Sequence, residues 1–133
     1  MGGLSICAWA HILHAMHRPA TLDPSELFAA LSDRTRLRLL NLLRSGERCV
    51  CDLVDGVVAP QPTVSRHLAM LRRAGLVRAR RDGLWMHYRL ADGAEDLLVK
   101  LFGCLNEHSA DCPEFPRDEK RVQKARKARG CCD

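Results

Sequence analysis

Gln61-Pro62-Thr63-Val64-Ser65-Arg66-His67-Leu68-Ala69-Met70-Leu71-Arg72-Arg73-Ala74, with Gly75 behind it, is the stretch whose reading decides the fold. Pro62 suits a first helical turn, where its missing N–H costs nothing; Val64, Leu68 and Leu71 repeat at helical spacing, and Gly75 is a natural stop. The spacing predicts one short amphipathic helix. Its other face carries Gln61, Thr63, Ser65, Arg66 and His67, crowded into the first turn and a half. Hydrogen-bonding side chains gathered at a helix N-terminus, with arginines beyond, suit a helix whose start enters a DNA major groove. An ordinary polar face has the same composition, so the flanking chain has to separate the two readings.

Upstream, Asp23 reads as an N-cap, Pro24 as a first helical residue and Glu26 as the return arm of a capping box, opening a helix with Leu27, Phe28 and Leu31. Asp33 caps a second helix, in which Leu37, Leu39, Leu40, Leu42 and Leu43 leave little unburied face, and Ser45-Gly46 ends it. A short third helix is predicted from Cys49 to Val57, and Gly56 to Pro60 turns the chain into the helix quoted first. A short helix, a turn and a second helix with a polar start is the helix-turn-helix pattern.

Beyond Gly75 the period changes to two. Val77 to Arg81 and Leu84 to Leu90 flank Asp82-Gly83, a dipeptide that favours a tight hairpin turn, and the ribbon they form is basic. Directly after a recognition helix, such a ribbon is a wing whose tip, Arg81 to Gly83, reaches an adjacent groove or phosphates. Asp92 is placed to cap a last helix with an apolar stripe of Leu97, Leu98, Leu101, Phe102 and Leu105. That stripe predicts packing on a twin, so a homodimer is expected, as covering two half-sites of double-stranded DNA also requires. The fold class expected is mainly α with a small β-hairpin.

The 133 residues allow one modest core, and no apolar run approaches the roughly 20 residues of a membrane span. The organisation expected is an N-terminal arm over 1–20, a DNA-binding and dimerisation domain over 21–112, and a basic, Cys-ended tail over 113–133, read as solvated in preference to a frayed helix or a phosphate-touching arm over Arg121 to Arg129. The first residues lack the basic start of a secretory signal, and Met16 is a second candidate start. Seven cysteines, an odd number, point to a reducing cytoplasm in which thiols serve metal or redox work. His11, His14 and His17 recur every third residue, a spacing shared by metal-binding and plain surface histidines. Net charge is only +5, but Gln61 to Leu90 holds seven basic residues against the single acid Asp82, the footprint of a polyanion-binding face.

Three motifs in order carry a resemblance: Glu47-Arg48-Cys49-Val50-Cys51-Asp52-Leu53, Gln61-Pro62-Thr63-Val64-Ser65-Arg66-His67-Leu68, and Arg81-Asp82-Gly83-Leu84-Trp85-Met86-His87-Tyr88. Over about Asp23 to Leu105 the chain resembles the ArsR/SmtB family of bacterial metal-responsive repressors, in particular the arsenic-responsive branch with a Cys-Val-Cys motif. The resemblance implies a winged helix-turn-helix homodimer that occupies operator DNA until a metal or metalloid binds. It also implies DNA contacts at Gln61, Thr63, Ser65, Arg66 and His67, and in the wing at Arg80 and Arg81. Pro60 stands where many relatives have a serine.

Cys49 and Cys51 are the candidate metal ligands. At about 100° per residue a regular helix would point them roughly 200° apart, so chelation by both is expected to unwind or tilt the helix start. Trivalent arsenic and antimony take three thiolates, whereas cadmium and lead take three or four. The third sulfur must come from Cys7, Cys112, Cys131 or Cys132; Cys104 falls among apolar positions and reads as packing. The zinc-responsive branch of the family uses an aspartate and histidines on the last helix; here Leu98 stands two places after Asp96 where that pattern has a histidine, and His108 has no matching acid at the proper spacing, so a zinc site on that helix is discounted. The implied inducer is As(III) or Sb(III), with Cd(II) or Pb(II) as the alternative, and no constitutive cofactor is expected. A thiol-redox or persulfide sensor is a further alternative. A thiol enzyme such as an arsenate reductase lacks its phosphate-cradling loop or Cys-x-x-Cys turn here.

Overall fold

A computed structural model describes residues 22–108 and 112–130. The arm over 1–20, with Cys7 and its three histidines, and the terminal Cys131-Cys132 lie outside the described residues. The element order is α1 (Pro24–Leu31), α2 (Arg34–Leu43), β1 (Arg48–Cys49), α3 (Val50–Val57), α4 (Gln61–Arg73), β2 (Val77–Asp82), β3 (Trp85–Leu90), α5 (Glu95–His108) and α6 (Glu114–Arg129). Mainly helical, with one small sheet, this is a winged helix-turn-helix.

The caps form where the side chains allow them. Asp23 accepts from the Glu26 N–H at 3.0 Å, and Asp33 from the Arg36 N–H at 3.0 Å, each meeting one orphan donor of a helix start. Leu39, Leu40, Leu42 and Leu43 of α2 are fully buried with Leu53 of α3, Val64, Leu68 and Leu71 of α4, and Leu76. Val58 ends α3 in the left-handed region, φ 53°, with its N–H on the Val54 carbonyl. A β-branched residue there is strained, and it sits in the turn that aims α4.

The sheet order is β1-β3-β2, antiparallel throughout. Asp82 pairs with Trp85, so the hairpin loop is Gly83-Leu84, one residue later than the sequence reading. Gly83 takes φ +60° at the first loop position, which a two-residue loop of type II′ demands. β1 was not foreseen: Arg48 and Cys49 pair with Tyr88 and His87 of the wing. Asp92 does not cap α5; it accepts from Arg89 at 2.8 Å, and the helix starts at Glu95 with the Leu98 N–H on the Ala94 carbonyl.

The larger correction is α6. Where a solvated tail was expected, a helix of sixteen residues packs across α3 and α2. It has little apolar surface, Val122 and Phe115 being its main anchors, and Phe115 meets Phe102 edge-on at 5.7 Å. Charge holds the rest. Asp118, fully buried, accepts from Arg38 at 2.8 Å through both oxygens and from Arg121 at 3.0 Å; Glu119 takes Arg48 at 2.8 Å; Glu114 takes Arg34 in a fork at 2.8 and 2.9 Å. Gly56 makes the close approach, since a Cβ there would stand 2.7 Å from Leu42 Cδ1 and 3.0 Å from Val122 Cγ2. Among the described residues no helix is long and apolar enough to cross a membrane.

Candidate DNA-reading face and thiol site

α4 presents its two faces as its period predicts. Val64, Leu68 and Leu71 are buried, Gln61 and Arg66 are exposed, and Thr63 and Ser65 are half-buried at the helix start. His67 departs from the expected DNA-facing set. Its Nδ1 lies 3.4 Å from the Arg36 guanidinium and 3.8 Å from Asp33, so the ring turns back toward α2. Arg36, which the sequence reading did not single out, is buried: its Nε donates to the Ala30 carbonyl at 2.6 Å and its Nη2 to Ala29 at 3.0 Å. It satisfies the last carbonyls of α1 and props the middle of α4. Arg36 lies between Arg34 and Arg38 in the same helix, and nothing local in the sequence set it apart from them.

In the wing, Arg81 is exposed, whereas Arg80 is paired with Glu47 and lies 3.4 Å from Asp82. The Arg80 hydrogen bond holds the Glu47 carboxyl below its ordinary range, and the same contact raises Arg80. His87 stands 3.9 Å from Glu47 as well. The wing is therefore tied, through Glu47 and the β1–β3 ladder, to the segment that carries the cysteines. Leu84 and Trp85 leave the wing tip with exposed apolar surface beside Arg81.

At the thiol pair the structure overturns the expected geometry. Cys49 is not in the helix: it is the residue before α3, in extended conformation with φ −66° and ψ 150°, as the last residue of β1. Leaving the helix removes the 100° step that would have opposed the two side chains, and their sulfurs lie 3.1 Å apart. No unwinding is needed to bring them together. A soft centre about 2.3 Å from each sulfur would see that 3.1 Å separation under an angle of roughly 85°, narrower than tetrahedral and suited to a pyramidal three-thiolate centre. Cys49 is buried and Cys51 half-buried.

The other candidates stand apart. Cys104 is exposed on α5 rather than packed, and Cys112 is half-buried just before α6. Among the described residues no group of three Cys, His, Asp or Glu side chains could hold a metal ion, so neither joins the pair. Of the proposed dimer stripe, Leu98 and Phe102 are fully buried within the protomer, with the Arg44 guanidinium 5.0 Å over the Phe102 ring. Leu97, Leu101 and Leu105 keep exposed surface, and Val99, on the same helix, is 55% exposed.

Comparison with known proteins agrees with the fold. The family profile described as "Bacterial regulatory protein, arsR family" matches residues 33–79, from the cap of α2 into the wing. An uncharacterized HTH-type transcriptional regulator of Methanocaldococcus jannaschii is 44% identical over 78 residues, 58% of this chain and 88% of that one. The arsenical resistance operon repressor of Escherichia coli is 51% identical over 71 residues, 53% of this chain and 61% of that one. Among solved structures, the homodimeric winged helix-turn-helix domain of a possible ArsR-family regulator from Mycobacterium bovis superposes with a TM-score of 0.60 at 33% identity, covering 63% of this chain and 79% of that one.

Proposed function

This chain belongs to the ArsR family of bacterial regulatory proteins, DNA-binding transcriptional regulators and not enzymes, and from that premise we propose that it is a repressor released from its operator by trivalent arsenic or antimony. The observation that carries the inducer class is the Cys49–Cys51 pair, with sulfurs 3.1 Å apart at the foot of the helix that supports α4. Two converged thiols favour a soft, thiophilic centre over zinc or another centre served by imidazole and carboxylate. The Escherichia coli relative, named for arsenical resistance, points the same way, although this chain spans only 61% of its length. Cadmium and lead share the preference for sulfur and are the second reading.

Gln61, Thr63, Ser65 and Arg66 of α4 contact bases and phosphates in the major groove, and Arg80 and Arg81 reach beside it from the wing. His67 supports the helix from behind. The protein acts as a homodimer, as its Mycobacterium bovis neighbour does, with Leu97, Val99, Leu101 and Leu105 of α5 available to the twin. It works in the cytoplasm, where its thiols stay reduced.

The switch runs through β1. Cys49 is paired with His87, and Glu47 holds Arg80, so a third thiolate drawn to the pair pulls on both the start of α3 and the wing. Release requires only that the inducer favour the pulled arrangement over the operator-bound one, typically by about 1–3 kcal/mol. The test is a labelled operator fragment titrated with arsenite, antimonite, cadmium, lead, zinc and peroxide. Arsenite and antimonite should release wild type, and the Cys49→Ser/Cys51→Ser protein should bind operator equally well yet ignore both. Release by peroxide alone would make the pair a redox sensor, and release that survives the double substitution would refute the assignment.

A further inference from the structure

We propose that the outward face of α6 is a second, sequence-independent DNA contact, in which Arg117, Lys120 and Lys124 grip the sugar–phosphate backbone flanking the base pairs that α4 reads. The inference rests on the placement of α4 in the major groove and adds to it a surface outside the helix-turn-helix.

The charges of α6 are sorted by side. Its three acids turn inward, Glu114 to Arg34, Asp118 to Arg38 and Glu119 to Arg48. Arg126 and Arg129 turn inward as well, on to Asp52 at 2.6 and 2.9 Å. Arg117, Lys120, Arg121, Lys124 and Lys127 stay exposed, and among the described residues only Arg121 of these five enters an ion pair, with Asp118. Steps of three and four residues keep the five on one side of the helix. From Arg117 to Lys127 the stripe runs about 15 Å at about 1.5 Å per residue. That is the span of about four phosphates of one strand, at about 3.4 Å each.

Docking requires the inward ion pairs and leaves the outward face unaccounted for. Like charges three and four apart weaken a helix, and this one has little apolar surface to hold it. A surface without a partner ordinarily mixes both signs. A polyanion turns the repulsion into attraction.

The position of the stripe selects the polyanion. α6 runs antiparallel along α3: Arg129 meets Asp52 in the first turn of α3, whereas Arg121 donates to the Gly56 carbonyl at 3.3 Å in its last. Arg38, held by Asp118, donates to the next carbonyl, that of Val57, at 3.0 Å. Arg121, with Arg117 and Lys120 within one turn of it, therefore stands beside the turn from Val58 to Pro60 that delivers Gln61 to the groove. In a helix-turn-helix the helix before that turn crosses the DNA backbone. A basic helix laid along it meets phosphates rather than base edges, the contact that fixes position without reading sequence.

The experiment measures binding of the full chain to labelled duplexes from about 50 to about 200 mM salt. Arg117→Gln/Lys120→Gln/Lys124→Gln removes three exposed cations and keeps the inward ion pairs, so its thermal unfolding should match wild type. Its slope of log K against log salt should flatten by about 2.7 for each protomer bound, at about 0.9 per phosphate contact, with binding at least about tenfold weaker at about 0.1 M salt. Arg117→Lys/Lys120→Arg/Lys124→Arg, which keeps the charges, should bind as wild type does. The loss should be equal on the operator and on a scrambled duplex. Trimming the operator to the base pairs under α4 and the wing should erase the difference between wild type and the glutamine variant, and extending it by about one helical turn on each side should bring it back. An unchanged slope, or a loss confined to the operator, overturns the proposal. Equal DNA binding by both proteins, with phosphatidylserine vesicles held by wild type alone, would overturn it too and assign the stripe to a lipid surface. Arg66→Ala run alongside separates the two readings: weakened binding there with an unchanged glutamine variant removes the α6 contact only, whereas unaltered binding by Arg66→Ala removes the α4 reading itself.

Discussion

Replacing Asp118 by alanine tests whether the last helix is part of the fold. Its carboxylate is fully buried and accepts three hydrogen bonds, two from Arg38 and one from Arg121. Arg121 is 44% exposed and recovers water when its partner is lost, so it contributes little. Arg38 is only 16% exposed and keeps just the Val57 carbonyl, at 3.0 Å, so its charge is left largely uncompensated. Breaking a buried pair costs about 3–5 kcal/mol, and the surviving carbonyl contact places Asp118→Ala at the lower end, about 3 kcal/mol. For a chain of this size that corresponds to a fall of roughly 10 °C in Tm. Urea unfolding followed by circular dichroism gives the free energy, and scanning calorimetry gives the Tm. Adding Arg38→Met should recover part of the loss, because the orphaned charge goes too. A single variant within about 0.5 kcal/mol of wild type would mean that α6 is not docked in solution.

Arg66→Ala should weaken operator binding and flatten its salt dependence by about one ion, read from the slope of log K against log salt; unaltered binding would place the reading helix elsewhere. Gly56→Ala should gain about 1 kcal/mol of helix propensity but lose about 1–3 to overpacking against Leu42 and Val122, a net destabilisation measured by urea midpoint; a more stable protein would show that α6 stands further off. The hydrogen bond from Arg34 pushes Glu114 down to about 2, so its contribution is complete above the ordinary carboxyl value of 4.5 and fades as pH falls toward 2. The gap in urea midpoint between wild type and Glu114→Gln should therefore close over that window; a gap that does not change with pH would refute the pairing.

What the chain states locally, it states legibly. Caps at Asp23 and Asp33, the apolar period of α2 and α4, and the alternation on either side of Gly83 each depend on residues within one turn or one hairpin, where backbone sterics and hydrogen bonding act over a few positions. Those signals were enough for the winged helix-turn-helix, whereas Cys49 and Cys51 became candidates through the motif that carries the family resemblance. Where the two sulfurs point depended on something else: β1 exists only because β3 pairs with it from almost forty residues away, and that pairing takes Cys49 out of the helix. Likewise α6 shows no apolar stripe to betray its docking, since it is held by ion pairs between residues 71 to 80 apart, which leave no period in a sequence. His67 and Phe102 have side chains that suit either surface or interior, and only the neighbours brought by folding, Arg36 for one and Phe115 for the other, fixed their direction. Local chemistry determined which elements form; the long-range contacts, whose free energy depends on both partners at once, decided which way the functional groups face.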